Sequence, residues 1–422
     1  MTAEVATWGI AGIATAGVIV RPWRWPEAIW AVTGAAILVA LGLLPPRLAL
    51  IGVAKGLDVY LFLAGMMLLA EVSRREGLFD WLARLATASA KGSPTRLFAL
   101  VYAVGVVVTA LLSNDATAVV LTPAVLAAAS AAKVADALPY AFICAFIANA
   151  ASFLLPISNP ANLVVFGGGH MPPLGDWIGR FLAPSIASIV VTFVALYFTQ
   201  RSALASETLA ENVKAGKLEP GARLAAAGIL ATAILLIAAS ALGLDLGAPT
   251  AVAGALTALA SLIRRREGPW PLVKDISWSV LPLVAGLFVL VEALEYTGVV
   301  AMLADQLKHW TETSPMATTG GAGLLVALVC NLMNNLPAGL IAGATVQSAH
   351  ASPDVASAIL IGVDLGPNLS VTGSLATILW LHALRRENLT VGFWRFLRVG
   401  TVVMIPALAT ALAVALLTAH PH

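Results

Sequence analysis

The stretch Ala110–Pro123, ALLSNDATAVVLTP, places Ser113, Asn114 and Asp115 in the middle of an apolar run. A carboxylate with hydrocarbon on both sides is costly in a membrane, and such residues are usually functional there. The apolar segment around it, 97–130, is too long for a single span, which needs roughly 20 residues. The sequence therefore predicts a re-entrant helical hairpin with the polar triplet at its tip.

The composition indicates the environment of the chain. Of its 422 residues, 59% are hydrophobic and only 11% are charged, whereas soluble domains carry about 25% charged residues. Apolar segments follow one another, many of them close to the length of a spanning helix. These features predict an all-α polytopic membrane protein embedded in the lipid bilayer. The net charge of +2 gives no reason to expect a nucleic-acid partner.

The chain divides into two halves of similar rhythm. The polar stretch 200–221 is the only long hydrophilic connection, and we interpret it as a linker between a first repeat, 1–199, and a second repeat, 222–422. Each half has two apolar segments with polar interruptions at corresponding places, a pattern typical of transporter binding sites. The interruptions and their segments are Ser113–Asp115 in 97–130, Pro156–Asn162 in 138–168, Met333–Asn335 in 317–349, and Gly366–Ser374 in 354–383.

Segment lengths assign a structure to each interruption. We predict re-entrant hairpins for 97–130 and 317–349, and broken helices for 138–168 and 354–383. Non-helical backbone at membrane depth is tolerated only where protein buries it or where it lines a water-filled cavity. Each half then has five full spans, which gives about 10 transmembrane helices plus two hairpins. Because five is odd, the two halves become inverted repeats.

The distribution of basic residues predicts the orientation. If the N-terminus is outside, all 24 lysines and arginines lie on the cytoplasmic side except Arg47, Lys55, Arg180 and Lys308. This distribution agrees with the positive-inside rule. Both termini are therefore predicted on the outer side of the membrane, and the linker in the cytoplasm.

The polar residues at the four interruptions are predicted to converge near the middle of the membrane. Pro160 and Pro337 follow two of the breaks, and proline favours the first turn of a helix. Half-helices that begin there direct their positive dipole ends at the site. The lack of basic and large aromatic residues at the tips argues against large or multiply charged substrates. The predicted substrate-binding residues are Ser113, Asn114, Asp115, Thr117, Ser158, Asn159, Asn162, Asn334, Asn335, Asn368, Ser370, Thr372 and Ser374.

Asp115 and Asp364 are the predicted proton-coupling residues, because an intramembrane carboxylate changes protonation with its surroundings. Asp115 ranks first, since Asp364 lies just before a tip. Simpler explanations exist for both. Asp115 could cap the second arm of its hairpin, and Asp364 could be a structural hydrogen-bonding residue. The asparagines could hold helices together.

Four motifs carry a resemblance to a known family. LLSNDATAVVLTP, NAASFLLPISNPANLVVFG, VCNLMNNLPAGLIAG and GVDLGPNLSVTGSLATILWL resemble the ArsB-type arsenite/antimonite efflux permeases of the ion transporter superfamily, from the first span to the last. The resemblance implies export of trivalent arsenic and antimonite from a prokaryotic cytoplasm across the inner membrane, in exchange for protons. It implies a secondary transporter that is not an enzyme, with no cofactor or bound metal. A cytosolic arsenite-stimulated ATPase and a homodimer are the partners it suggests.

Other function classes compete with this interpretation. A sodium/proton antiporter of the same architecture is the nearest alternative, with Asp115 holding the sodium ion. An intramembrane aspartyl protease would also use two membrane carboxylates, but it needs no inverted repeats. A passive polyol or metalloid channel would carry paired Asn-Pro-Ala boxes, whereas this chain has one, at Asn159–Ala161.

Overall fold

The structure, a computed structural model, describes residues 2–166, 171–210 and 216–419, and the regular secondary structure of these residues is entirely helical. Eight of the described helices are long and apolar enough to cross a membrane, or ten if each of two bent helix pairs forms one span. The prediction of an all-α membrane protein is therefore confirmed. Positions 1, 167–170 and 420–422 of the predicted repeats, and 211–215 of the predicted linker, lie outside the described residues.

The first half runs from the N-terminus to the polar linker. Its helices are α1 (Thr2–Val20), α2 (Glu27–Ala40), α3 (Pro46–Lys55), α4 (Leu57–Arg75), α5 (Leu78–Ala90), α6 (Pro94–Leu111), α7 (Asn114–Ala116), α8 (Thr122–Ala131), α9 (Leu138–Ala150), α10 (Pro160–Phe166) and α11 (Leu174–Ala205). A π-helical turn, Thr117–Leu121, joins α7 to α8, so that Asn114–Ala131 forms one arm.

The second half follows the linker. Its helices are α12 (Pro220–Ala241), α13 (Gly247–Arg265), α14 (Trp270–Asp275), α15 (Val280–Tyr296), α16 (Val299–Thr313), α17 (Pro315–Met333), α18 (Asn335–Ala349), α19 (Pro353–Leu365), α20 (Leu375–Arg386) and α21 (Phe393–Thr418). The chain bends by 71° between α15 and α16.

Each predicted hairpin contains two helical arms that meet at a short non-helical break. In the first, Ser113 is fully extended between α6 and α7. The hydroxyls of Thr109 and Thr117 lie 2.8 Å apart across this break, although eight residues of continuous helix would span about 12 Å. The chain therefore reverses at Ser113. In the second, Asn334 has a φ of 73°, in the left-handed region that asparagine tolerates better than most residues.

The two broken helices are interrupted by segments of equal length. Residues 151–159 separate α9 from α10, and residues 366–374 separate α19 from α20; each contains a short 3₁₀ turn. Every residue of α9 is buried, as expected for a helix that is apolar on all sides. The breaks therefore lie in the protein interior, where their free backbone groups find partners.

Aromatic packing joins the broken helices of the two halves. The indole of Trp380 on α20 donates a hydrogen bond of 2.9 Å to the carbonyl of Ala141 on α9. The rings of Phe146 and Phe396 stack with centroids 5.2 Å apart, which adds α21 to this core. Stacked and edge-on aromatic pairs contribute about 0.5–1.5 kcal/mol beyond area burial.

Equivalent features recur at a constant spacing in the two halves. Gly65 on α4 and Gly286 on α15 are separated by 221 positions (286 − 65 = 221). A methyl group at Gly65 would collide with the backbone of α13, and one at Gly286 with the backbone of α2. The left-handed Gly77 and Gly298, which precede α5 and α16, have the same spacing. A two-fold relation between the halves would give this pattern; the inverted orientation stays a prediction.

Candidate functional site

Four helix N-termini, those of α7, α10, α18 and α20, meet around one small cavity, which we call the tip cavity. Its polar wall is formed by five of the predicted site residues, and α4 and α15 close it with Leu63 and Val280. The five polar residues are Asn114, Asp115, Asn159, Asn335 and Ser374. The cavity offers the centre of a water molecule about 20 Å³, close to the 10–15 Å³ that one water needs.

Each of these N-termini is capped by the residue at its break. Ser113 Oγ accepts from the N–H of Ala116 at 3.3 Å, and Asn159 Oδ1 from that of Ala161 at 3.0 Å. The second half repeats this pattern: Asn334 Oδ1 accepts from Leu336 N–H at 3.3 Å, and Ser374 Oγ accepts from Thr377 N–H at 3.1 Å. The caps fix the helix ends, whose positive dipoles favour electronegative ligand atoms at the cavity.

Asp115 is placed differently from the caps. Because Ser113 caps this arm, the carboxylate of Asp115 does not have that task. It is half-buried, and within the described residues its oxygens accept no hydrogen bond from the protein. It lines both the tip cavity and a neighbouring space of about 90 Å³, the access cavity, which follows α4 from Leu63 to Glu71. Asp115 is therefore free to meet solute and water.

Asp364 lies behind the tip cavity, in the last turn of α19. It is completely buried, and its Oδ1 accepts a hydrogen bond of 2.8 Å from the side-chain amide of Asn159. Within the described part of the chain its Oδ2 has no partner. Asn159 thus separates Asp364 from the cavity that Asp115 lines, and the two carboxylates do not form the facing pair that an aspartyl protease needs.

Several predicted site residues support the breaks instead of lining the tip cavity. The amide of Asn162 donates to three carbonyls of the first break, with Ser152 O nearest at 3.0 Å. Ser158 Oγ donates to Ala110 O at 3.0 Å, and so joins the broken helix to the hairpin. Since unpaired backbone groups are costly in a membrane, these bonds stabilise the irregular segments.

The second half uses Asn368, Ser370 and Thr372 in the same way. Asn368 donates to Phe146 O at 3.0 Å and accepts from the amide of Asn149 at 3.0 Å. Ser370 donates to Asn331 Oδ1 at 2.7 Å. Thr372 donates to Asn331 O at 3.2 Å, and it faces a wide vestibule of about 930 Å³ instead of the tip cavity.

Two asparagines that support the breaks were not among the predicted site residues. Asn149 and Asn331 each lie one turn or less before the end of a helix that runs into a break. A lone amide in an otherwise apolar helix was the available signal in both cases.

Thr117 is completely buried at the start of the π-helical turn, where its carbonyl accepts from Thr122 Oγ1 at 3.3 Å. Such turns are frequent at functional sites.

The charge of the two cavities differs from that of the vestibule. Among the described residues that line the tip and access cavities, none is a lysine, arginine or histidine. The vestibule adjoins them at Val280 and Leu375. Its charged and titratable lining residues are Arg21, Glu27, His382 and Arg385. The immediate surroundings of Asp115 therefore suit a neutral polar solute or a proton better than a multiply charged anion.

Comparisons with known proteins identify the family of the chain. The model of the citrate transporter family (CitMHS) matches residues 16–363. An arsenical pump membrane protein of Escherichia coli is 29% identical over 351 residues, which cover 80% of this chain and 81% of that protein. An uncharacterized transporter of Mycobacterium tuberculosis is 27% identical over 417 residues, 93% of this chain and 94% of its own. These matches confirm the resemblance that the four motifs carry.

A solved structure shares the fold. The YdaH transporter of Alcanivorax borkumensis, described as having an unusual topology, superimposes with a TM-score of 0.58 over 96% of this chain and 98% of its own. The sequences are only 14% identical, so the likeness concerns the architecture alone.

Proposed function

Because the chain belongs to the citrate transporter family, we propose that it is a secondary transporter that exports trivalent arsenic and antimonite in exchange for protons. The observation that carries this proposal is the tip cavity. Four capped helix N-termini surround a space lined by amides, a hydroxyl and one carboxylate that accepts no hydrogen bond within the described chain.

The chemistry of the cavity matches arsenous acid. Near neutral pH trivalent arsenic is mostly the uncharged trihydroxide, whose O–H groups donate to amide oxygens and carboxylates and whose oxygens accept from helix N–H groups. Citrate carries three carboxylates, which need cations as partners. Since the described lining of the tip cavity offers none, arsenous acid is the substrate we favour, as the name of the Escherichia coli relative also suggests.

Uphill export of a neutral solute requires a coupled ion, since the membrane potential performs work only on charge, about 2.3 kcal/mol per elementary charge per 100 mV. Asp115 is the proposed proton carrier, because it shares the cavity with the solute. Asp364 is the second proton-coupling residue, connected to the cavity through Asn159. No cofactor or bound metal takes part in this proposal.

The cellular setting follows from the resemblance and the charge distribution. We place the protein in a prokaryotic inner membrane, with both termini outside and the linker in the cytoplasm, and with two inverted repeats, 1–199 and 222–422. A cytosolic arsenite-stimulated ATPase and a second copy of the chain are proposed partners.

Transport in everted vesicles tests the function. Wild type should accumulate trivalent arsenic against its gradient when a proton gradient is imposed. Asp115→Asn should lose uphill accumulation but keep downhill exchange, while Asp80→Asn, which changes an exposed carboxylate on α5, should behave as wild type. If Asp115→Asn keeps undiminished uphill transport, Asp115 is not the proton carrier and the role passes to Asp364. Sodium/proton exchange without arsenic transport by the wild type would contradict the assignment and favour the antiporter.

A further inference from the structure

Two buried glutamates occupy equivalent positions outside the tip cavity. Glu71 on α4 and Glu292 on α15 are 221 positions apart, the same spacing that separates Gly65 from Gly286 and Ser113 from Asn334. Both are buried near the C-terminal end of an apolar helix. A buried carboxylate at membrane depth is costly and usually functional, and here the cost is incurred twice at matched positions.

Both glutamates belong to clusters of carboxylates and cations. Glu71 Oε1 lies 2.6 Å from Arg74 Nη2 and 3.8 Å from Arg75 Nε. Arg74 also contacts Asp275 at 3.0 Å and Arg75 contacts Glu267 at 3.5 Å. Arg265 also pairs with Glu267, at 2.9 Å, so the cluster has three carboxylates and three guanidinium groups. Its Glu71 and Asp275 line the access cavity.

The Glu292 cluster has two carboxylates around one cation. Lys55 Nζ from α3 lies 2.7 Å from Glu292 Oε2 and 3.0 Å from Glu295 Oε2. The ring of Tyr60 packs on Phe288 of α15. Glu4 is on α1, whose Trp8 donates a hydrogen bond to Thr297, just after α15. Beside Glu71, the facing titratable group is Asp115, across the access cavity.

The four tips are not centred between the two glutamates. The tip cavity touches α4 at Leu63 and α15 at Val280. At the constant spacing, Val280 corresponds to Val59, so the contacts differ by four residues, about 6 Å of helix. Glu71 is eight residues from its contact, about 12 Å, whereas Glu292 is twelve residues from its own, about 18 Å. The access cavity accordingly joins Asp115 to Glu71.

Exchanging the roles of the two halves predicts a second state. The tips would then touch α4 at Val59 and α15 at Val284, the position equivalent to Leu63. Glu292 would be eight residues from this contact, as Glu71 is from Leu63 here. The displacement between the two states is one helical turn along α4 and α15.

We propose that Glu71 and Glu292 are equivalent proton relays, each of which serves Asp115 from one side of the membrane in one of these two states. This inference rests on the proposed proton coupling. In the second state, in which the tips contact Val59 and Val284, a proton from external water passes through the Glu292 cluster to the Asp115 carboxylate. In the state seen here, Asp115 releases that proton through water in the access cavity to the Glu71 cluster and to the cytoplasm. One proton enters for each one released, and no bond other than O–H is made or broken.

Side-specific pH profiles of transport test the proposal. We compare Glu71→Gln and Glu292→Gln with Asp80→Asn and Asp305→Asn, which change exposed carboxylates on α5 and α16. Glu71→Gln should slow uphill arsenite transport about tenfold, less than losing a group in direct contact with the reaction, and should alter the dependence on cytoplasmic pH only. Glu292→Gln should alter the dependence on external pH only. Identical changes on both sides, or unchanged profiles, would overturn the proposal.

A thiol-labelling experiment separates this proposal from the transport assignment. Met67, on the wall of the access cavity, corresponds to Phe288 at the constant spacing. A cysteine at Met67 should react with an impermeant reagent from the cytoplasmic side, and one at Phe288 from the outer side; the native Cys144 and Cys330 are buried. If both label as expected while the wild type moves no arsenite, the proposed substrate fails and the two-state arrangement stands. Labelling of both from one side contradicts the arrangement itself.

Discussion

The side-chain amide of Asn159 lies 2.8 Å from Oδ1 of Asp364, so that the first break holds a buried carboxylate of the second half in place. The same asparagine caps α10 and lines the tip cavity. A ligand that displaces the Asn159 side chain must therefore disturb Asp364. This relationship connects the wall of the tip cavity to the deeper carboxylate.

Removing this amide should destabilise the protein. Asn159→Ala removes an amide that donates to the buried Asp364 carboxyl group, and leaving a buried acceptor unsatisfied costs about 1–3 kcal/mol. The melting temperature in detergent should fall, and the added change Asp364→Asn should reverse part of the loss. Gln306→Ala, at an exposed position on α16, is the control. A wild-type melting temperature for Asn159→Ala would show that the bond contributes nothing.

The two halves differ at the position of the proposed proton carrier. The residue equivalent to Asp115 is Leu336, and both line the tip cavity. Asp115→Leu should abolish proton-driven arsenite accumulation. The double variant Asp115→Leu/Leu336→Asp returns one carboxylate to the same cavity and should restore part of the uphill transport. If Leu336→Asp restores nothing although the protein is folded, the position of the carboxylate matters as much as its presence.

The matched glycines should be equally intolerant of a side chain. Gly65→Ala and Gly286→Ala each force a methyl group against helix backbone, and overpacking of this kind costs about 1–3 kcal/mol. Gly9→Ala has open space around it and should be neutral or slightly stabilising, because alanine favours helix. Thermal unfolding of the three variants checks this. Tolerance at only one of the two glycines would count against equivalent packing of the halves.

Ser374 offers a test of the caps. Ser374→Ala removes the acceptor for the Thr377 N–H, at a cost of about 1 kcal/mol, and should weaken arsenite binding by loosening the start of α20. Ser374→Asn keeps an acceptor in the cap and should retain most of the stability. Binding and melting measured on the same preparations distinguish the two effects. Equal behaviour of the two variants would exclude capping as the role of Ser374.

The sequence predicted the breaks well because polar residues inside long apolar runs have few structural explanations. It placed Ser113–Asp115 and Met333–Asn335 at the points where the helical arms meet. It could not tell which polar residues face the cavity, since Asn159 and Asn162 are three positions apart in one motif yet point to different partners. Nor could it identify Glu71 as a cavity residue, since only the helix packing places it beside the access cavity.

The π-helical turn at Thr117–Leu121 gives one arm of the hairpin an extra residue relative to regular α-helical bonding. If that surplus migrated along the arm, each residue it passed would rotate by about 100° around the helix axis. Such a rotation changes which side chains face the cavity without lengthening the arm or unfolding a loop. A rotation of this kind would reorient the segment that carries Asp115 while the hairpin stays anchored at both ends.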